Sequence, residues 1–422
     1  MRVLWITNSI LPVVSDLTGV AKSHGGGWRD ILSRRFMDDS DIELISVFGT
    51  NLHKRIRGEA KNNRWYGFYM PKMTETTVNK KRKVFFEEII DKEKPDIIHI
   101  WGTEFVHDLE MLTAAEASGI RTVVSIQGLI SEYAKHYTDY LSQEDIDRCT
   151  FHDLLRRDNI TGQQKRFYLR GIHEIETIKR AKHVIGRTEW DRSIVESINP
   201  VAEYHYCEEI LRNEFYDGLR WNYDLCRPHS IFLPESYYPI KGMHIALQIL
   251  NKLKGKYPDV HLYTTGRDAR CRTIGDKIRQ NTYESCIERM IYRYGLEQNI
   301  TYMGTLNAAQ MKDQYLKANV CLQSSVMENS PNSLAEAMIT GVPVVASDVG
   351  GTRSVLGQYA QYMTYSINEP DTATDMIDEI FSMKNKEMIE GTEERINRKM
   401  KQHDPDMICD QYKGCYRSII DK

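Results

Sequence analysis

The sequence lacks the features that would assign it to several specialised classes of protein. Its eight cysteines, spread over 422 residues, form no Cys-x-x-Cys pair and no cysteine–histidine cluster with zinc-finger spacing. The net charge of -3 and the pI of about 6.5 argue against a nucleic-acid binder, which would usually be strongly basic. No run approaches the roughly 20 apolar residues that a membrane-spanning helix needs. We therefore expect no nucleic-acid partner, and only peripheral contact with a membrane.

The start of the chain fits a buried strand better than a secretion signal. Residues 1–14 are apolar, but Thr7, Asn8 and Ser9 interrupt them, and no small-residue cleavage site follows. Without such a leader, the cysteines are expected to remain thiols in a reducing compartment. We predict a cytoplasmic protein that can associate with the inner face of the membrane.

What is present is typical of an α/β protein with two cores. Hydrophobic residues make up 41% of the chain, and its length favours two domains. Short Val/Ile-rich runs without polar alternation predict strands buried on both faces of parallel sheets. In the first half these runs are 3–7, 42–48, 97–101, 122–126 and 183–186; in the second they are 230–233, 260–265, 300–303, 320–323 and 344–346. Helical stretches between them, such as 83–92, 244–254 and 311–317, predict βαβ units.

A stretch without clear period, 217–228, separates the two series of strands and predicts an interdomain linker. The expected domains are 1–218, closed by a terminal helix 399–422, and 225–398. In doubly wound sheets of this kind, ligands bind at the carboxyl ends of the strands, so we expect the site in a cleft between the domains.

The most informative segment is 324–343. A strand ends near Gln323, and Ser330 and Pro331 predict the cap and first residue of a helix that ends at Gly341. The start of such a helix binds phosphate readily. Glu328 before it and Glu336 within it accept hydrogen bonds, as a polyhydroxylated ligand requires. The spacing alone, however, favours a loop charge and a solvated helix residue.

Together with 341–351, this segment resembles the Glu-x7-Glu signature of retaining GT-B glycosyltransferases of the family 4 type, which includes many bacterial polysaccharide and glycolipid enzymes. The resemblance implies two doubly wound Rossmann-like domains facing a cleft, with the C-terminal helix crossing back to the N-terminal, acceptor-binding domain. It implies metal-independent transfer, without a cofactor, from a UDP- or GDP-type nucleotide sugar to a carbohydrate or lipid-linked acceptor. Polysaccharide or glycoconjugate synthesis is the expected context.

The resemblance also implies roles for individual residues. Lys241, after the strand 230–233, matches the family's Lys-Gly and would hold the diphosphate leaving group. Glu328 would contact the transferred sugar and Glu336 the ribose. The other implied donor-binding residues are Gly26, Gly27, Asn329, Ser330, Pro331, Asn332, Ser333 and Leu334, and Arg187 and Arg267 are added as candidate donor-binding cations. The implied acceptor-binding residues are Gly102, Thr103, Glu104 and Gln127, whereas His99 is predicted to be a core residue.

Two positions depart from the family pattern. The Arg expected five residues before Lys241 is Ser236, and Arg267 or Arg187 is a candidate for the missing charge, although a structural ion pair explains Arg187 equally well. Gln127 stands where many relatives have His, so a catalytic His is excluded there, although an amide can still orient a hydroxyl. These departures keep a non-catalytic nucleotide-sugar-binding subunit open as an alternative. A nucleotide-sugar epimerase of the same fold is the other.

Residues 51–90 carry a local excess of positive charge. Ten Lys and Arg against four Asp and Glu give 10 − 4 = +6, and Trp65, Tyr66, Phe68 and Tyr69 lie within the stretch. A basic and aromatic surface suits anionic lipid headgroups, which predicts a peripheral membrane contact. A solvated charged face fits the same composition equally well.

Overall fold

A computed structural model describes residues 1–18, 28–53, 56–70, 75–383 and 392–422. The chain divides into two compact units. The first unit is Met1–Ser131, Arg166–Arg212 and Gln402–Lys422, and the second unit is Glu132–Lys165 and Asn213–Lys401. Within the described ranges, no helix is both long enough and apolar enough to cross a membrane.

The first unit is built on an eight-stranded sheet, counted over the described residues. Its strands are β1 (Arg2–Thr7), β2 (Glu43–Thr50), β3 (Ile56–Ala60), β4 (Asn63–Tyr69), β5 (Ile97–Trp101), β6 (Arg121–Ser125), β7 (His183–Gly186) and β8 (Glu203–Tyr206). Their order is β3-β4-β2-β1-β5-β6-β7-β8, and all neighbours are parallel except β3 and β4. Because the chain fills the sheet in opposite directions from β1, the gap between β1 and β5 is a topological switch point.

The second unit is built on a six-stranded parallel sheet in the described residues. Its strands are β9 (Ser230–Leu233), β10 (His261–Thr264), β11 (Ile300–Tyr302), β12 (Val320–Gln323), β13 (Val344–Ser347) and β14 (Thr364–Tyr365). The order β11-β10-β9-β12-β13-β14 is that of a doubly wound Rossmann-like sheet, with its switch point between β9 and β12. The predicted fold class, two parallel-sheet α/β units, is confirmed.

Helices connect these strands, as the alternating pattern of the sequence predicts. In chain order the described helices are α1 (Pro12–Thr18), α2 (Trp28–Asp38), α3 (Lys80–Glu93), α4 (Val106–Ala117), α5 (Ile130–His136), α6 (Gln143–Asp147), α7 (Phe151–Arg156), α8 (Ile160–Arg180), α9 (Glu189–Ile198), α10 (Met243–Lys256), α11 (Ile274–Arg279), α12 (Thr282–Arg293), α13 (Ala308–Lys317), α14 (Asn332–Thr340), α15 (Thr352–Leu356), α16 (Ala360–Met363), α17 (Pro370–Phe381), α18 (Thr392–Gln402) and α19 (Pro405–Ile420). Many begin at a side-chain cap; Asn79, for example, accepts the Lys81 and Arg82 amides at the start of α3.

The end of the chain packs in the core of the first unit. Asp404 caps α19, so the predicted helix 399–422 begins only at Pro405. The Tyr416 hydroxyl accepts a hydrogen bond from Trp5 Nε1 at 3.1 Å and lies 2.6 Å from His99 Nδ1. All three side chains are fully buried, and burial lowers the pKa of His99 well below its ordinary value. The prediction that His99 is a core residue is therefore confirmed.

The division of the chain differs from the predicted one in two places. The predicted linker 217–228 lies within the second unit, which begins at Asn213. There Trp221 is buried, and it donates from its backbone to Thr340 O (2.9 Å) and from Nε1 to Ala318 O (2.7 Å). The excursion 132–165 also belongs to the second unit, where the buried Asp153 accepts hydrogen bonds from the backbone and hydroxyl of Thr282.

The predicted basic and aromatic surface of 51–90 needs correction. Residues 56–69 form β3 and β4, and because β4 pairs with β2 along its whole length, Trp65, Tyr66 and Phe68 are buried. Tyr69 is the exposed one of the four aromatic residues. Arg82 is also buried, in ion pairs with Glu75 and Glu110. Of the four aromatic residues that the prediction named, three are therefore too buried to belong to a surface that would include the exposed cations of α3.

Candidate functional site

The loops after β9 and β12 meet at the switch point of the second sheet. The Val326 amide donates to Ile240 O at 2.7 Å, and Ser324 Oγ donates to Gly242 O at 2.9 Å. Gly242 has φ of +67°, and a Cβ there would lie 1.7 Å from the Ser324 carbonyl oxygen. The glycine of the Lys-Gly pair is thus required by the close approach of the two loops. This approach also sets the position of Lys241.

Lys241 and Glu328, both predicted from sequence, are in direct contact. Lys241 Nζ lies 2.7 Å from Glu328 Oε1 and 2.6 Å from Glu235 Oε2. The Glu328 side chain is 7% exposed and also accepts a hydrogen bond from Ser325 Oγ at 2.8 Å, whereas the Glu235 side chain is 39% exposed. Burial acts to lower the pKa of Lys241, but the two carboxylates outweigh it and raise that pKa well above its ordinary value. The site therefore contains a permanent ammonium between two carboxylates.

A third loop, after β13, fixes the backbone of Glu328. The Gly351 amide donates to Glu328 O at 3.0 Å, and Ser347 Oγ donates to Ser325 O at 2.6 Å. Gly350 has φ of +51°, and a Cβ there would lie 1.9 Å from Glu328 O. The glycine pair that follows β13 is therefore part of the same assembly, and the loops after β9, β12 and β13 all contact Glu328, the last of them through its backbone.

The helix after Glu328 begins one residue later than predicted. Pro331, not Ser330, is the N-cap residue of α14, because the backbone at Pro331 is extended and the first helical residue is Asn332. A proline has no side-chain acceptor, so the N-cap residue itself makes no side-chain cap hydrogen bond. The start of α14 lies at the carboxyl end of β12, and helix N-termini in general attract anions.

The other donor residues predicted from this segment lie in or beside α14. Glu336, Leu334, Asn329 and Pro331 are buried, and Ser330, Asn332 and Ser333 are half-buried. The Asn329 amide donates to the Tyr133 hydroxyl at 3.1 Å. Glu336 is 3% exposed, so the interpretation of it as a solvated helix residue is wrong.

Arg267 and Arg187, the candidates for the missing arginine charge, form hydrogen bonds and an ion pair with groups other than Lys241 and Glu328. Ser236 is buried, and its hydroxyl donates to Thr265 O at 3.1 Å, which ties the loop after β9 to that after β10. Arg267 donates to the carbonyl oxygens of Asp276 and Arg279 at 3.2 Å, at the end of α11. Arg187 forms an ion pair with Glu209 at 2.9 Å in the first unit, where both side chains are buried. Sequence reasoning missed Glu235, the nearest charged group to Lys241, because a single acidic residue in a loop gives no signal.

The residues predicted to bind an acceptor follow β5 and β6 of the first unit. Thr103 Oγ1 donates to Glu174 Oε2 at 3.2 Å, and the Thr103 amide donates to Glu104 Oε2 at 3.1 Å. Gly102 has φ of +125°, and Gln127 is half-buried after β6. Burial raises the pKa of Glu104 and, more strongly, that of Glu174, to about 7. Gly26 and Gly27 lie outside the described residues.

A buried arginine, Arg29, lies near this group, and no sequence pattern predicts it there. Arg29 Nη2 donates to Asn8 Oδ1 at 3.2 Å and to Ser9 Oγ at 3.1 Å, immediately after β1. Burial lowers its pKa to about 10, although Glu209 and Glu104 act in the opposite direction. The switch point of the first sheet thus holds a buried mixture of acids and arginine, which is suited to hydrogen bonding with hydroxyl groups.

Comparison with known proteins first defines the class. Residues 229–401 match the family model of Glycosyl transferases group 1, and this stretch contains Lys241, Glu328 and Glu336. The fold is that of GT-B glycosyltransferases. A sucrose-phosphate synthase of Thermosynechococcus elongatus is similar, with a TM-score of 0.66 and 15% identity over 99% of this chain and 98% of that one.

Two further solved structures show the same fold. An E. coli trehalose-6-phosphate protein bound with UDP-2-fluoro glucose has a TM-score of 0.66 and 11% identity over 99% of both chains. TarM of S. aureus, in a complex that includes UDP, has a TM-score of 0.61 and 12% identity over 98% of this chain and 99% of that one.

A curated relative matches part of the chain. An uncharacterized glycosyltransferase of Methanocaldococcus jannaschii is 28% identical over 96 residues, which is 23% of this chain and 25% of that protein. The aligned stretch thus spans about a quarter of the length of the curated relative.

Proposed function

We propose that this protein is a retaining glycosyltransferase that moves a sugar from a nucleotide-diphosphate sugar to a carbohydrate or lipid-linked acceptor. The observation that carries the proposal is the Lys241–Glu328 contact at the switch point of the second sheet, inside the stretch that matches Glycosyl transferases group 1. Ligands of doubly wound sheets bind at this position. A uridine donor is supported by the UDP compounds in two of the similar structures, and a guanosine donor remains the alternative.

The roles of the residues follow from their chemistry. Lys241 is the cation for the departing diphosphate, and the start of α14 supplies further positive potential to it. Glu328 accepts hydrogen bonds from the sugar hydroxyls and Glu336 from the ribose. The leaving phosphate acts as the base for attack on the same face, which requires no metal and no cofactor.

The acceptor is proposed to bind at the switch point of the first sheet, through Gly102, Thr103, Glu104 and Gln127. A lipid-linked acceptor and a membrane contact through 51–90 are now supported by exposed cations such as Lys80 and Lys81. The buried aromatic residues of this stretch no longer support them. Polysaccharide or glycoconjugate synthesis at the cytoplasmic membrane face remains the proposed context.

A second candidate is a nucleotide-sugar-binding subunit without catalysis. The specific observation in its favour is Glu235, because this carboxylate pairs with Lys241 and competes with a diphosphate for it. Such a subunit would bind the nucleotide sugar but would release no nucleotide from it in the presence of any acceptor.

The test is a thermal-shift screen with UDP, GDP, ADP and their common sugars. We expect one diphosphate to stabilise the wild type, and neither Lys241→Ala nor Glu336→Ala to be stabilised. Lys252→Ala is the matched control, because Lys252 is an exposed lysine of the same unit paired with Asp371. A folded wild type that no nucleotide stabilises at millimolar concentration contradicts the proposal. Nucleotide release that needs no acceptor would indicate an epimerase or a hydrolase instead.

A further inference from the structure

A cluster of metal-ligand side chains lies at one edge of the first sheet. His183 begins β7, and Glu203 and His205 lie two residues apart in the edge strand β8. In the parallel register His183 pairs with Glu203, and Ile185 pairs with His205. Paired residues, and residues two apart in a strand, project to the same face of a sheet. The two imidazoles and the carboxylate therefore share one face.

The ligand atoms are already close to the spacing that a metal ion imposes. His183 Nδ1 lies 3.2 Å from His205 Nε2, and Glu203 oxygens lie 3.6 Å from the first nitrogen and 3.9 Å from the second. Tetrahedral bonds of about 2.0–2.1 Å place neighbouring ligand atoms about 3.3–3.4 Å apart. The two nitrogens already match this spacing, whereas the two Glu203 distances run to different oxygens, so the carboxylate must turn to bring one oxygen to both nitrogens. One water molecule would then complete the four ligands.

A metal ion could reach the cluster from solvent, and it would compete there with the Lys422 ammonium for Glu203. The imidazole side chains are 15% exposed and that of Glu203 is 44% exposed. His183 also lines a surface cavity of about 640 Å³, as does Lys422. The Lys422 ammonium lies 2.5 and 2.7 Å from the two Glu203 oxygens, so at present it supplies the positive charge that a metal ion would bring.

We propose that His183, Glu203 and His205 form a binding site for a divalent transition-metal ion, with Zn²⁺ favoured by the donor set. Two imidazole nitrogens and one carboxylate oxygen suit Zn²⁺ and do not suit Mg²⁺, which prefers an octahedral oxygen shell. The cluster lies at the amino ends of β7 and β8, whereas the proposed acceptor residues follow the carboxyl ends of β5 and β6. The metal therefore joins the edge strand β8 to its neighbour β7 and takes no part in sugar transfer.

The test is a metal titration of the full-length chain after EDTA treatment. Calorimetry should show one equivalent of Zn²⁺, and Co²⁺ should give the visible absorption of a tetrahedral site. His183→Gln and His205→Gln should abolish both signals, and Glu203→Gln should weaken Zn²⁺ binding by at least about tenfold. His229→Gln is the matched control, because His229 is a partly exposed histidine hydrogen-bonded to Asp259 in the second unit. It should retain one equivalent.

Two more variants test the ligand set. Lys422→Gln should tighten Zn²⁺ binding up to about fivefold, since it releases Glu203 from an exposed ion pair. Cys415→Ala should keep one equivalent, because Cys415 interacts with His205 and Cys207 without being one of the three ligands. If the folded wild type, checked by circular dichroism, binds no Zn²⁺ at micromolar concentration, the proposal is wrong. It is equally wrong if the histidine variants bind Zn²⁺ as the wild type does. If either histidine variant fails to fold, Glu203→Gln replaces it in the test, because Glu203 is exposed, and wild-type Zn²⁺ affinity in that variant contradicts the proposal.

Discussion

Glu235→Gln should increase the affinity of the protein for a nucleoside diphosphate. Lys241 lies between two carboxylates, so the three side chains carry a net charge of −1 where a diphosphate is proposed to bind. Glutamine keeps the size of Glu235 and removes its charge, which leaves Lys241 paired with Glu328 and a net charge of zero. Because the Glu235 side chain is 39% exposed, the substitution should not affect folding.

The expected gain can be estimated from Coulomb's law. A phosphate oxygen in hydrogen-bonding contact with Lys241 Nζ would lie about 5 Å from the Glu235 carboxylate. At that distance two unit charges repel by about 3 kcal/mol at an effective dielectric constant of 20 and by about 0.8 kcal/mol in bulk water. The exposure of Glu235 argues for a value near the lower limit, about 1 kcal/mol. The dissociation constant should therefore fall about fivefold.

The assay is calorimetric titration of wild type and Glu235→Gln with the diphosphate that the thermal-shift screen selects. Raising the ionic strength from about 0.1 M to 1 M shortens the screening length from about 10 Å to 3 Å, so the gain should shrink with salt. Asp259→Asn, which removes an exposed carboxylate of the same unit that is paired with His229, should leave the affinity unchanged. Equal or weaker binding by Glu235→Gln at low salt would refute the assignment of Lys241 as the phosphate contact.

Three further predictions concern stability. Gly242→Ala should lower the free energy of unfolding, measured in urea, by more than about 3 kcal/mol, because the new Cβ would lie 1.7 Å from a carbonyl oxygen. Gly255→Ala is the control. A Cβ at Gly255, on a helix, would meet no atom within 4 Å, so this variant should be slightly more stable than the wild type. Burial lowers the pKa of His244 to about 4, below the unfolded value of about 6.5, so the unfolded chain takes up a proton first as the pH falls. The free energy of unfolding should therefore fall by about 2 kcal/mol between neutral pH and pH 5. His244→Gln should remove this contribution to the pH dependence of unfolding, and His229→Gln should not. Tyr416→Phe should lower the free energy of unfolding by about 1–3 kcal/mol, because two buried hydrogen-bonding partners lose their contact.

The central strands of both sheets and the edge strand β11 could be predicted from sequence, whereas β3, β4, β8 and β14 were not predicted. Continuous Val/Ile runs give 97–101, 183–186, 230–233 and 320–323 with the bounds that the structure has. The strands β3 and β4 were missed because their charged and aromatic residues indicate a surface, although β4 gains its burial from pairing with β2. Burial that depends on a distant partner strand leaves no local signal.

The candidate site shows the same division. Lys241, Glu328 and Glu336 were predicted as site residues from the family resemblance, and strand ends, glycines and helix signals only locate them in the chain. The charge environment could not, since it depends on side chains from separate loops, such as Glu235 beside Lys241 and Arg29 beside Asn8. The predicted substitute for the missing arginine was a guess from proximity in the chain, and Arg267 instead contacts the end of α11.

The serine at the position where the resemblance implies arginine, Ser236, and the carboxylate of Glu235 lower the positive charge of the same site. With an arginine at 236 and no acid at 235, the cluster with Lys241 and Glu328 would carry a net charge of +1, whereas here it carries −1. Two unit charges are thus shifted against a dianionic leaving group, and the start of α14, equivalent to about +0.5 charge, offsets only part of the shift. A donor can compensate if Glu235, which is partly exposed, turns to solvent when the diphosphate binds Lys241. Release of nucleotide in the presence of an acceptor then distinguishes an active transferase from a binding subunit, because the subunit would bind the nucleotide sugar without releasing nucleotide.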